Sequence, residues 1–283
     1  MNTKIGWMLV VLLAMCLSAM TLASTVKTSA ASPSASFTAA AAPQTKQDYP
    51  VRGEINRSFH LSPNAQIDVN GIEGAVKVET TNDSRAEIHF VRHARTQKDY
   101  DCETILVQDS PTSLTIKHQT DHSCRVIQAY EELTLIVPQS ANLRFTGLEG
   151  SFAVGKTDGY LELRNIEGSV RAGEVQAAQI QNIEGGVTLS VARLDSQGIT
   201  VRSVEGPVEL RVADNINADL RVREADSVYV DLPNVLNKRL NTNSFQSEDE
   251  DGSRRSETEL QLGAGGARIL ISRIEGRVRV RGL

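Results

Sequence analysis

The stretch NIEGSVRA, residues 165–172, returns as NIEGGVTL at 182–189 and as SVEGPVEL at 203–210. An extended chain turns successive side chains to opposite faces. Read that way, Ile166, Gly168, Val170 and Ala172 share one face, and Glu167, Ser169 and Arg171 share the other. The isoleucine then anchors a core and the glutamate points to water. The glycine stands where a Cβ is unwelcome, either at a corner that needs positive φ or where backbone approaches backbone.

Working outward, the same frame can be aligned six times. Its anchors and glycines are Ile72 and Gly74, Leu148 and Gly150, Ile166 and Gly168, Ile183 and Gly185, Val204 and Gly206, and Ile274 and Gly276. The central glutamates Glu149, Glu167, Glu184 and Glu205 are separated by 18, 17 and 21 residues. A near-constant period of this size marks stacked repeats, in which single rungs bury little and neighbours bury one continuous core. Between frames lie short alternating runs such as Tyr160-Leu161-Glu162-Leu163-Arg164 and Val208-Glu209-Leu210-Arg211-Val212, which have the strand period. The reading is an all-β chain with a parallel β-solenoid or β-helix-like stack over residues 140–283. Stacking would place the frame glutamates in a like-charged ladder. The unequal steps argue against strict registry. Arg164, Arg202 and Arg273 stand close enough in sequence to pair with those glutamates, and a calcium-binding acidic ladder is the rival reading.

Residues 49–139 are strand-rich but less regular, and read as a more sandwich-like first part on the same core. Thr104-Ile105-Leu106-Val107 and Leu114-Thr115-Ile116-Lys117 flank Asp109-Ser110-Pro111-Thr112, a hairpin signal. Cys102 and Cys124 bracket that hairpin. In an exported chain, with Cys16 removed in a leader, they read as a disulfide. His118 and His122 lie near Cys124, but the spacing fits no standard zinc pattern, so no metal is expected. His89 and His93 read as surface histidines. The closing run Arg277-Val278-Arg279-Val280-Arg281 reads as a charged edge strand that discourages aggregation.

The N-terminus carries Lys4, then an apolar run from Ile5 to Leu17, and small residues suited to cleavage after Ala23. Residues 1–23 read as a signal peptide. An uncleaved membrane anchor is the alternative, since no charge appears between Ile5 and Val26. Residues 24–48 are rich in Ser, Ala, Thr and Pro and read as a tether. Residues 233–258, with the charge run Ser247–Arg255, read as a solvated insertion. The net charge of −5 excludes a basic nucleic-acid surface.

Strand Leu135-Ile136-Val137-Pro138, the earlier Phe59-His60-Leu61 and the six frames resemble a bacterial β-strand-repeat domain of unknown function, usually labelled adhesin-like. The likeness covers about Phe59 to Leu283. It implies an extracytoplasmic β-solenoid with cell-envelope roles, and no catalytic residues come with it. No Gly-x-Ser-x-Gly elbow, Walker loop or His-Glu-x-x-His is present. Aromatics, at 4 %, are few for a sugar-stacking groove. The expectation is a non-catalytic, exported envelope or surface module without cofactor. Its partner would be an unknown envelope protein or glycan. A membrane-anchored envelope-stress sensor and a glycan-active β-helix enzyme are the alternatives.

Overall fold

The structure, a computed structural model, describes residues 49–124, 127–232 and 256–283. The expected leader, the tether and all but the last three residues of the expected insertion lie outside the described residues. Among the described residues the chain is all-β apart from one short helix. Its first part comprises β1 (Val51–His60), β2 (Gln66–Asn70), β3 (Gly74–Thr81), β4 (Arg85–Ala94), α1 (Gln97–Asp101), β5 (Glu103–Ser110), β6 (Ser113–Thr120) and β7 (Ala129–Pro138). The repeats supply β8 (Asn142–Leu148), β9 (Phe152–Val154), β10 (Thr157–Ile166), β11 (Val170–Ile183), β12 (Val187–Val191), β13 (Ile199–Val204) and β14 (Val208–Val212). They end with β15 (Ala218–Asp231), β16 (Ser256–Leu262) and β17 (Ala267–Gly282). The helix is unforeseen in the strand pattern. It starts at a capping box in which Thr96 and Asp99 bond reciprocally to each other's backbone.

Two parallel ladders organise these strands. One runs β2, β8, β10, the second half of β11, β13, then the first halves of β17 and β15. The other runs β3, β9, the first part of β11, β12, β14, then the second halves of β17 and β15. Register is constant along each. Ile67, Leu143, Leu161, Ala178, Ile199, Ile269 and Leu220 occupy one inward position of the first ladder. Val76, Phe152, Val170, Val187, Val208, Val278 and Val228 occupy one of the second. These rows merge into one apolar core from Leu61 to Val280. The ladders cross residue 140 without a break, because β2 and β3 are already rungs. Antiparallel pairing is kept for the ends, where β1, β4 and β7 cap one side, β5 pairs with β6, and β16 pairs with β15.

The frame forms the corner between the ladders. Its first residue takes the left-handed conformation, with φ of 65° at Gly147, 55° at Asn165, 58° at Asn182, 56° at Ser203 and 58° at Arg273. Asparagine tolerates this region better than most residues, and Asn182 also donates to Asn165 Oδ1 at 2.9 Å across rungs. The anchors Ile72, Leu148, Ile166, Ile183, Val204 and Ile274 are all buried. The glycines stack directly on one another. A Cβ on Gly168 would lie 2.2 Å from the Gly150 carbonyl oxygen, and one on Gly150 would lie 2.3 Å from that of Gly74. Gly185, Gly206 and Gly276 continue the column. Of the two reasons for a glycine, close backbone approach is the one that applies. The turn conformation belongs to the residue before the anchor.

Two expectations are corrected here. The arginine-rich β17 is not an edge. It inserts between β13–β14 on one side and β15 on the other, since its two halves match the length and pattern of a full rung. Its outward arginines pair across strands, Arg281 with Glu209 at 2.5 Å and Arg279 with Asp231 at 3.6 Å. Registry is also strict despite the unequal steps. The amides of Glu167, Glu184 and Glu205 each donate to the anchor carbonyl one rung back. The extra residues of the longest step are taken up in the turn closed by Gly198 N–H to Asp195 O.

The Cys102–Cys124 disulfide is present and closes the β5–β6 hairpin at its open end. With a sequence separation of 22 between the cysteines, the chain-entropy model assigns it roughly 3 kcal/mol. Replacing both cysteines by serine is expected to lower unfolding free energy by about that much. Hydrogen exchange should place the loss mainly in β5 and β6, as the hairpin opens locally.

Candidate functional site

Two arrangements of charge stand out, and the frame links them. The first is the corner row. Glu149, Glu167, Glu184, Glu205 and Glu275 are exposed on successive rungs, about 4.8 Å apart by strand spacing. A groove of about 910 Å³ runs along this corner, lined by Glu167, Glu184, Glu205, Asp226 and Glu275 beside their anchors. Two of the three expected arginine partners pair elsewhere. Arg164 pairs with Glu162 at 2.6 Å and Arg273 with Glu224 at 3.7 Å. The alternation rule explains this for Arg164, which shares a strand face with Glu162 and not with the glutamate beyond the corner.

A further copy of the frame closes the groove. Glu224 takes φ of 55°, Ala225 is the buried anchor and Asp226 stands in the glutamate position. Ala225 pairs with Ile274 and Val228 with Val278, with a register shift between them. This copy lacks the glycine and is one residue short, which hides it from an alignment of the frame.

The second arrangement lies at the other end of the stack, where the first frame meets β4 to β7. Arg92, Glu103 and Glu131 are all buried, at 3 %, 4 % and 1 % exposure. Arg92 clasps Glu131 Oε1 through Nε at 3.0 Å and Nη2 at 2.7 Å, and donates through Nη1 to the Glu103 carbonyl at 2.6 Å. Glu131 Oε2 accepts from the Glu73 amide at 3.2 Å. His118 reaches in from β6, with Nε2 3.7 Å from Glu103 Oε1 and 3.8 Å from Glu131 Oε1, and Nδ1 4.0 Å from Glu73. Among the described residues, both oxygens of Glu103 and Nε2 of His118 have no hydrogen-bond partner. Glu73, Glu103 and His118 each offer one donor atom within 4.8 Å of the others.

Alternation places these groups. Ile88, Phe90 and Arg92 share the inward face of β4, Leu114, Ile116 and His118 that of β6, and Glu131, Leu133 and Leu135 that of β7. Each strand carries its apolar row into one charged residue. His93 is buried too, stacked on Tyr130 at 4.8 Å between ring centroids. This corrects its reading as a surface residue. His89 is exposed and bonded to Asn56.

The fold is similar to that of solved bacterial proteins named as candidate adhesins. One, a candidate cell adhesion protein from Clostridium sporogenes, is 9% identical with a TM-score of 0.40, covering 82% of this chain and 100% of the other. A candidate adhesin from Bacteroides fragilis is 10% identical with a TM-score of 0.32, covering 83% and 99%. Another, from Parabacteroides distasonis, is 14% identical with a TM-score of 0.29, covering 82% and 97%. No family model matches the chain, and no curated protein matches it.

Burial opposes charge on His118, and the carboxylates of Glu103, Glu131 and Glu73 outweigh it, so its pKa lies above the ordinary 6.5. Burial, followed by Glu103 and Glu149, holds Glu73 above 4.5, with His118 opposing and Glu131 adding to the rise. Both folded groups therefore bind protons more tightly than the unfolded chain does. The stability they contribute is present at low pH. It is lost as pH rises, from about 4.5 for Glu73 and from about 6.5 for His118. In buffer free of divalent cations, the melting temperature is expected to fall between pH 6 and pH 9. The fall should be flattened in His118→Gln, as differential scanning calorimetry would show.

Proposed function

We propose that this chain is a non-catalytic, exported, adhesin-like module of the cell envelope or cell surface, built as a β-solenoid that presents a repeated face to a partner. The observation that carries the reading is the regular acidic corner row on a continuous core. Its side chains hang from backbone held in register rung by rung, so it is a preorganised array that loses little freedom on binding. The apolar positions of the ladders are spent inside, and few large apolar residues are exposed among the described residues. Recognition would then rest on charge and hydrogen bonding. The apolar N-terminal run and the tether support export, and the polar, repeated faces support a binding or scaffold role.

The test is retention of the full-length protein on envelope fractions of its own host. Retention is expected, weakening as salt screens the exposed glutamates. It should also weaken when Glu167, Glu184 and Glu205 are changed together to Gln. No retention at low salt would sink the proposal.

A further inference from the structure

We propose that Glu73, Glu103 and His118 form a binding site for one divalent transition-metal ion of the zinc type. The argument starts from charge. Three carboxylates, Glu73, Glu103 and Glu131, converge where one guanidinium, Arg92, supplies the permanent positive charge. Arg92 is committed to Glu131, which has both oxygens satisfied. The Glu103 carboxylate is nearly fully buried, 3.4 Å from the Arg92 Nε that Glu131 already engages, and neither of its oxygens is hydrogen-bonded among the described residues. An ionised group in that position is costly unless something compensates it.

The second argument is distance. His118 Nε2 and Glu103 Oε1 are both unpartnered and face each other at 3.7 Å. That is too long for a hydrogen bond. Two donors bound at 2.0–2.2 Å around one tetrahedral ion lie ~3.4 Å apart, so the gap is close to the one an ion would leave. Glu73 offers a third donor atom within 4.8 Å of one donor atom on each of Glu103 and His118, and its Oε1 lies 4.0 Å from the other imidazole nitrogen, Nδ1.

Chemistry selects the class of ion. An imidazole nitrogen with carboxylate oxygens suits zinc and its neighbours, whereas calcium and magnesium prefer all-oxygen sites. Access exists, because the Glu73 side chain is 38% exposed while His118 and Glu103 are buried behind it. Glu73 also begins the acidic corner row, since the amide of Glu149 on the next rung bonds to Ile72. That row raises the local concentration of cations at the mouth. The disulfide braces the hairpin that carries both inner donors, which are diagonal neighbours across β5 and β6.

The experiment titrates Zn²⁺ into chelator-stripped, full-length protein by calorimetry, with the Co²⁺ absorption spectrum reporting the donor set. One ion per chain is expected, together with a rise in melting temperature at pH 8. Affinity should drop about 100-fold or more in both Glu103→Gln and His118→Gln, because losing even an outer-shell partner costs 10- to 100-fold. Glu103→Gln is isosteric and removes a buried charge whose two oxygens have no hydrogen bond among the described residues, so it is expected to fold. It also keeps His60, His89 and His122, which are exposed. Equal zinc binding by the wild type and Glu103→Gln would place the ion on those histidines and overturn the proposal. A wild type that does not respond to zinc would overturn it as well, and would leave the His118 imidazolium as the counter-ion.

Discussion

Gly168→Ala is expected to lower the melting temperature by roughly 6–12 °C, while Gly155→Ala leaves it nearly unchanged. Both substitutions add one methyl to a glycine in a rung. At Gly168 the new Cβ would sit 2.2 Å from the Gly150 carbonyl oxygen, and both sides of the clash are backbone. At Gly155 it would meet nothing within 4 Å. Neither glycine has positive φ, so the contrast isolates close approach from turn geometry. Separating two rungs strains both ladders at once, since Ile166 pairs with Leu148 on one side and Ile183 on the other. Overpacking with nowhere to relax costs about 3 kcal/mol or more, and each kcal/mol corresponds to roughly 2–4 °C in a body of this size. Thermal unfolding of the two variants side by side is the measurement. Equal melting temperatures would mean that the glycine column is dispensable.

Arg92→Met is expected to be the most damaging change in the first part of the chain, at about 3–5 kcal/mol. Its guanidinium is the partner of Glu131 and lies 3.4 Å from Glu103, and all three side chains are almost fully buried. Its plane also lies over the rings of Phe90 and Tyr100, at 5.5 and 5.7 Å. Methionine replaces the stem but leaves two carboxylates facing a site with no fixed positive charge. Breaking a buried pair from one side carries this order of penalty, whereas removing both partners is far milder. The double variant Arg92→Met/Glu131→Gln should therefore recover part of the loss. Chemical denaturation in the presence of chelator reads both. A double variant no better than the single one would show that packing around the guanidinium, and not charge, holds this end together.

The frame was legible because it combines three signals that seldom coincide, a buried anchor, an outward acid and a glycine at a fixed offset. Alternation then assigned a face to nearly every residue of the rungs. The same rule reaches further than it first suggests. Followed along β4, β6 and β7, it turns Arg92, His118 and Glu131 inward, so their burial follows from the sequence once the strand register is trusted. Their meeting does not. These residues come from strands far apart in the chain, and Glu103 joins them only because the hairpin folds back beside β2. The shortened frame at Glu224-Ala225-Asp226 was hidden for a different reason. Its position is defined by pairing with β17, and its own residues carry too little of the pattern.

Sequence by itself determined the all-β character, the repeat, the inward and outward faces, the hairpin and its disulfide, because each depends on local periodicity or on a pair of residues. Tertiary structure alone decided the order of the rungs, with β17 slipped between β14 and β15. It also decided that glycines stack on glycines, and that three carboxylates share one arginine and one histidine. Those outcomes depend on which strands hydrogen-bond to which. A parallel ladder accepts any rung with the right inward row, so many orders satisfy the same local pattern. The choice among them is made by how the whole core closes.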